Sequence, residues 1–293
     1  MSVVKAVNFV VSDLMKMTKF FEELLEFTLV DIREEKSDLF PGLQMKRARL
    51  KLGSHEIYLT QFINQQTKPL PKESISSDLS FQHIAIVVSD MEKAYEKLIK
   101  HKIVPISSSP QIIPDWNKAA AGIKAFYFRS PDLHPLELIF YPSGKGRSEW
   151  QQKNRLFLGI DHTAITVSDT EKSLKFYRDT VGLRVMGESL NYGETQENLS
   201  GVPGAKVKIT GLANPEGRGM GLEFLHYLEG TKGKASTYAP HDLAATKTVI
   251  EVHDLDKLLQ KLDNKSVIKK TQEKEKTRAA LVVDPDGHHV IFV

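Results

Sequence analysis

One pattern recurs four times along this chain and restricts its fold more than any other feature. An alternating, largely apolar stretch ends in an aspartate and is followed by a segment with helical periodicity. The clearest copy is residues 81–90, Phe-Gln-His-Ile-Ala-Ile-Val-Val-Ser-Asp; weaker copies lie at 6–13, 162–169 and 247–254. The closing aspartates, Asp13, Asp90, Asp169 and Asp254, stand 77, 79 and 85 residues apart. A near-constant period of this kind means one supersecondary unit used four times. The alternation predicts a strand, and the aspartate predicts the N-cap of the helix that follows.

Each unit reads in the order strand, helix, then further strands. In the first, the strand at 3–11 precedes an amphipathic helix over 14–27, where Leu14, Met17, Phe20, Phe21, Leu24 and Leu25 recur at three- and four-residue steps, and strands follow at 29–33, 43–52 and 56–62. In the second, the helix at 91–100 leads into a Ser/Pro-rich loop (105–114) and strands at 123–128 and 136–141. The third has a helix at 171–180 and strands at 183–190, 206–211 and 221–227. The fourth has a strand at 246–252, a helix at 255–262, strands at 279–283 and 289–293, and a charged stretch at 269–278 that reads as a solvated loop. Residues 64–80 and 230–240 read as linkers, and 142–154 as the boundary between halves. The expected organisation is an N-terminal half, 1–149, with modules 1–72 and 80–145, and a C-terminal half, 150–293, with modules 156–230 and 243–293. A lone unit buries too little apolar surface to stand by itself, so units must pack in pairs.

Composition excludes several classes of function. There is no cysteine, which removes disulfides, thiolate catalysis and zinc–thiolate sites. The formal net charge of +3 on 293 residues, without a basic stripe, does not point to nucleic acid. No apolar run approaches the ~18–20 residues of a membrane span, and the N-terminus shows no secretion signal. These readings predict a cytoplasmic monomer or homodimer whose partner is a small molecule, with neither nucleic acid nor membrane.

Candidate chemistry lies in the two middle units. Side chains alternate along a strand, so His83, Ala85 and Val87 share one face of the second unit, and His162, Ala164 and Thr166 the equivalent face of the third. The small residues leave room beside each imidazole. Later in the same two units, Glu137 and Glu223 are single carboxylates in apolar strands, which is unfavourable unless they are paired or bind a metal. A lone His or Glu is commonly structural, but here the combination occurs twice at matching places. Two imidazoles and two carboxylates suit a divalent ion such as Ni, Co, Zn, Mn or Fe. Four protein ligands on a six-coordinate ion leave two positions, which a substrate with adjacent oxygens can occupy.

The four units, the His-x4-Val-Ser-Asp junctions, the segment Ser-Leu-Lys-Phe-Tyr-Arg-Asp-Thr-Val-Gly-Leu at 173–183 and the Asp-Pro-Asp-Gly turn at 284–287 resemble the vicinal oxygen chelate superfamily, which includes glyoxalase I, extradiol dioxygenases, methylmalonyl-CoA epimerase and drug-resistance proteins. The resemblance implies an α+β, glyoxalase-like fold: four βαβββ modules paired into two barrel-like, mixed-sheet domains. It implies metal ligands at the start of the first strand and in the last strand of two paired units, here His83, Glu137, His162 and Glu223. The corresponding residues of the outer units, Ala6 and Tyr58 in the first and Lys247 and Ile291 in the fourth, make no metal site. A single complete site therefore requires the second unit to pair with the third and the first with the fourth. Leu133 stands where a turn glycine is usual, which puts strain on the turn that sets the register of Glu137.

Three functions compete at this stage. The first is a metal-dependent lyase or isomerase of the glyoxalase I type, with Glu137 or Glu223 as general base. The second is an extradiol-type ring-cleaving dioxygenase built on two His and one carboxylate, with His134, His226 or Tyr227 as acid/base groups. The third is a non-catalytic, drug-resistance-like binder whose pocket is lined by aromatics such as Trp116, Phe126 and Tyr141. Trp116 and Asn117, in a proline-bounded loop, are candidates for a lid over the site.

Overall fold

The computed structural model describes residues 2–293 apart from 37, 236, 264, 274 and 275. All four predicted caps form. The carboxylates of Asp13, Asp90, Asp169 and Asp254 each accept a backbone N–H of the first helical turn, which satisfies donors the helix itself cannot. The first unit comprises β1 (Val3–Val10), α1 (Leu14–Lys19), β2 (Thr28–Lys36), β3 (Gln44–Leu52) and β4 (His55–Phe62). The second comprises β5 (Gln82–Val88), α2 (Met91–Lys100), the short β6 (Val104–Pro105) and β7 (Gln111–Ile112), then β8 (Lys124–Arg129) and β9 (Pro135–Phe140). The third comprises β10 (Phe157–Thr166), α3 (Thr170–Leu174), β11 (Arg184–Tyr192), α4 (Glu194–Ser200), β12 (Lys206–Ala213) and β13 (Gly221–Glu229). The fourth comprises β14 (Lys247–Glu251), α5 (Leu255–Lys261), β15 (Val267–Glu273), β16 (Lys276–Val283) and β17 (His289–Phe292). In the first and third units the helix widens into a π-helical turn, Phe20–Leu24 and Lys175–Thr180.

The units pair second with third and fourth with first. One sheet runs β11-β12-β13-β10-β5-β9-β8-β6 with β7 beside β8, and the other β15-β16-β17-β14-β1-β4-β3-β2. Within each unit the first and last strands are parallel neighbours, while the units join through antiparallel β5–β10 and β1–β14. The helix-facing sides of both sheets share one core, which includes Phe9, Phe21, Phe126, Phe157, Phe224 and Phe292. Matching ties cross between the sheets. Ser12 N–H donates to Asp132 (2.7 Å) and Ser168 N–H to Asp286 (2.9 Å). The His134 and His288 rings engage the carbonyls of Leu243 (3.1 Å) and Thr166 (2.8 Å).

Two expectations change. The charged stretch 269–278 is not a loop: outside residues 274 and 275 it belongs to the antiparallel pair β15–β16. β15 is the outer strand of its sheet, and lysines are the residues that keep an exposed edge from pairing with another chain. Leu133 does adopt the left-handed conformation, with φ 69°, but the turn closes through Ser130 N–H to His134 O at 2.9 Å, as Asp284 N–H does to His288 O. Glu137 keeps its register. Among the described residues no helix is long and apolar enough to cross a membrane.

Candidate metal centre

Strand register brings the four predicted ligands to one concave face. Glu137 pairs with Ala85, two residues beyond His83, and Glu223 pairs with Ala164, two residues beyond His162. Across the β5–β10 junction His83 faces Ala164 and His162 faces Ala85. Each imidazole thus lies opposite a methyl group and diagonal to the other imidazole, with ring centroids 5.8 Å apart. His83 Nε2 lies 3.0 Å from Glu137 Oε2, and His162 Nε2 lies 3.5 Å from Glu137 Oε2 and 3.4 Å from Glu223 Oε2. The ligand atoms of His83, Glu137 and His162 all fall within 4.8 Å of one another. Donors at about 2.1 Å from one ion stand about 3.0 Å apart at right angles and about 3.4 Å apart at tetrahedral angles. The contacts of 3.0–3.5 Å among these groups are compatible with a shared ion as well as with direct hydrogen bonds.

The electrostatics separate the two carboxylates. Burial alone would raise the Glu137 pKa, but hydrogen bonds from His162 and His83 hold it below the usual range. Burial raises Glu223, and the negative charges of Glu137 and Asp161 add to the effect against the opposing pull of His162. Glu223 nevertheless keeps 29% of its side chain accessible, against 6% for Glu137. Burial keeps His83 neutral at pH 7. Burial also opposes charge on His162, but Glu223, Asp161 and Glu137 together raise its pKa well above the ordinary value. Three carboxylates beside the two imidazoles make a donor set rich in negative charge, which suits a divalent cation.

Asp161 was not among the predicted site residues. A strand should point it away from His162, but β10 carries a bulge between Ile160 and His162, and the extra residue re-aims the side chain. Asp161 Oδ2 accepts from His162 Nδ1 at 3.0 Å, and its Oδ1 accepts from Trp150 Nε1 at 2.8 Å. Burial opposes its ionisation, yet His162, Trp150 and Tyr141 hold its pKa at about 2. The carboxylate fixes the His162 tautomer and turns Nε2 toward the glutamates. Nothing does this for His83, whose buried Nδ1 has no partner among the described residues. The signal in the sequence was a charged residue inside an otherwise apolar strand.

The face beside Glu223 is open because two glycines floor it. Gly211 pairs with Glu223, and Gly187 with Gly211. A Cβ at Gly187 would meet nothing within 4 Å, and one at Gly211 only ordinary contacts at 3.8 Å, one of them Glu223 Oε1. The 114–122 loop reaches this side. Asn117 donates to Asn191 at 2.6 Å, and Trp116 stacks on Tyr192 at 4.3 Å while remaining 46% exposed. Most of the other residues singled out from the sequence lie elsewhere, and Tyr141 alone borders Asp161. His134 spans the two sheets, His226 bonds Thr170 (3.0 Å), and Tyr227 hydrogen-bonds Ser200 and Ser76. Phe126 packs in the shared core.

In the other sheet the same register positions hold different chemistry. Tyr58 pairs with Asn8, two residues beyond Ala6, and Ile291 with Val249, two residues beyond Lys247. Where Gly187 and Gly211 stand in one sheet, Asp31 and Arg49 stand in the other and form an ion pair at 2.9 Å. Lys247 is 1% exposed, donates to Ala245 O at 2.7 Å, and has its pKa lowered by burial to about 7.

Comparison with known proteins agrees with this architecture. The sequence matches the family described as the Glyoxalase/Bleomycin resistance protein/Dioxygenase superfamily over residues 4–138 and 159–292. A 2-epi-5-epi-valiolone epimerase from Actinomyces sp. is 32% identical over 162 residues, which cover 52% of this chain and 85% of that protein. Among solved structures, glyoxalase I from Zea mays superposes with a TM-score of 0.66 at 19% identity, over 100% of this chain and 92% of the maize protein. A Bacillus subtilis structure superposes with a TM-score of 0.58 at 12% identity, over 99% and 84% of the two chains.

Proposed function

Because the chain belongs to the Glyoxalase/Bleomycin resistance protein/Dioxygenase superfamily, we propose that it is a metal-dependent isomerase or lyase of the glyoxalase I type, acting on a small substrate that presents adjacent oxygens. His83, Glu137, His162 and Glu223 would hold the ion. When bound, a divalent ion supplies Lewis acidity toward the substrate oxygens. The observation that carries the reading is the division of labour between the glutamates. Glu137 is buried, doubly hydrogen-bonded and held ionised, as a permanent ligand should be. Glu223 is partly open, its pKa is raised, and it borders the glycine floor where a substrate has room. Two carboxylates pushed apart in this way mark separate roles. Glu223 takes the proton from the carbon beside a carbonyl and returns it to the neighbouring carbon while the hydroxyl proton passes between the two adjacent oxygens, so no redox partner is consumed. Asp161 keeps His162 oriented throughout. The relative named an epimerase supports proton transfer of this kind.

Solvent-deuterium exchange tests the proposal. Metal-loaded protein should incorporate deuterium at the carbon next to the carbonyl of small hydroxyketones, and Glu223→Gln should not. Failure of wild-type protein to exchange any of them would contradict the reading. One observation favours a second function: the tightest three groups are two His and one Glu, the donor set of Fe(II) oxygenases. Oxygen uptake with catechols on Fe(II)-loaded protein, without deuterium exchange, would select that reading.

A further inference from the structure

Away from the metal centre, a groove of about 370 Å³ lies between α1 with its π-helical turn, the end of α2 and the turn before β9. Phe20, Leu24 and Leu133 give it an apolar side, and Lys16, Lys102 and Arg129 a cationic one. Its single lining carboxylate, Glu23, is paired with Lys19 at 3.7 Å. Neither Lys16 nor Lys102 has a carboxylate within 4.0 Å among the described residues.

Arg129 is the unusual member. It is 8% exposed, and its guanidinium donates to Ser74 Oγ (3.1 Å), Ser74 O (2.5 Å) and Leu133 O (3.0 Å). Among the described residues no carboxylate lies within 4.0 Å of it. Burial lowers its pKa against the opposing charge of Asp78, but a guanidinium stays charged at neutral pH, and a buried charge with no ion pair closer than 4.0 Å is incompletely balanced. The fold does not require this residue: at the matching place before the Asp284 turn the chain has Val283.

We propose that this groove binds a small amphiphile with an oxyanion head, a carboxylate or a phosphate. The head takes its charge balance from Arg129, Lys16 and Lys102, and the apolar body lies on Phe20, Leu24 and Leu133. Charge-assisted hydrogen bonds to a planar guanidinium favour such a head, and the volume is within the range of small-molecule sites. The site is independent of the metal and of the reaction proposed above.

Titration calorimetry tests it, with octanoate, octyl phosphate, 1-octanol and inorganic phosphate as probes. One saturable site is expected for octanoate or octyl phosphate, and the tighter of the two identifies the head. Affinity should rise by about fourfold per methylene from butanoate to octanoate. Lys16→Glu with Lys102→Glu, two exposed changes, should weaken binding by about tenfold without moving the melting temperature. Glu137→Gln should leave binding intact, which separates this groove from carboxylate chelation at the metal. Octanol binding as tightly as octanoate, inorganic phosphate binding as tightly as octyl phosphate, the double variant binding like wild type, or Glu137→Gln abolishing binding would each overturn the proposal.

Discussion

The two sheets are built from the same repeated unit in the same register, and six of the facing positions at which they differ carry the contrast. The sheet of the second and third units holds His83, His162, Glu137, Glu223, Gly187 and Gly211. The other holds Lys247, Ala6, Ile291, Tyr58, Asp31 and Arg49. One set combines donors with open space. The other fills that space with an ion pair and a phenol, and puts an amine where an imidazole stood. Both sheets form the same hydrogen-bonded ladders and share one core. The site is therefore a local choice of side chains on a scaffold that does not need it.

The comparison breaks most sharply at the glutamate. Glu223→Gln should lower the rate of proton exchange by about 10²–10⁴-fold, while Tyr58→Phe, at the matching place, should leave it within about twofold. Equal losses would mean that the sheets are not functionally distinct.

Lys247 sharpens the contrast from the other side. Lowering its pKa from 10.5 to about 7 corresponds to about 5 kcal/mol at most. The sign follows from proton uptake. Between pH 7 and 10 the unfolded chain holds a proton that the folded chain does not, so the penalty is fully present below pH 7 and fades as pH rises toward 10. Lys247→Met loses one hydrogen bond and should still stabilise the protein by about 3 kcal/mol at pH 6.5, with little gain at pH 10, as read from urea unfolding at both pH values. A loss of stability at pH 6.5 would show that the amine has a partner it needs.

Moving the filled face into the open one is the next test. Gly187→Asp with Gly211→Arg should reduce kcat/KM by about a hundredfold through lost substrate space, with metal content unchanged. Retained activity would place the substrate elsewhere. Asp161→Asn should weaken metal affinity by about 10–100-fold, an effect visible by calorimetry with the metal alone. Trp116→Ala is expected to have the smallest effect, a change of about threefold in KM if the loop only covers the mouth.

Much of this was legible in the sequence because the signals have short periods. Alternation placed His83 and His162 on equivalent faces, the aspartate caps marked each helix start, and the recurrence of His with Glu marked the two units whose side chains converge. What was not legible depended on register. Asp161 joins the site through a bulge that the alternation of β10 conceals. Gly187 and Gly211 acquire meaning only when strand pairing sets them beside Glu223. The charge of β15 resembled a loop because an edge strand needs few apolar residues. The π-helical turns went unnoticed because one extra residue in a turn barely disturbs a helical pattern.

Elemental analysis of native protein, repeated on His162→Ala and Tyr58→Phe, bears most directly on whether one sheet alone holds an ion. Wild type and Tyr58→Phe should each carry one divalent ion per chain, and His162→Ala should carry almost none. A wild-type protein without metal, or a His162→Ala variant that retains its ion, would contradict the account.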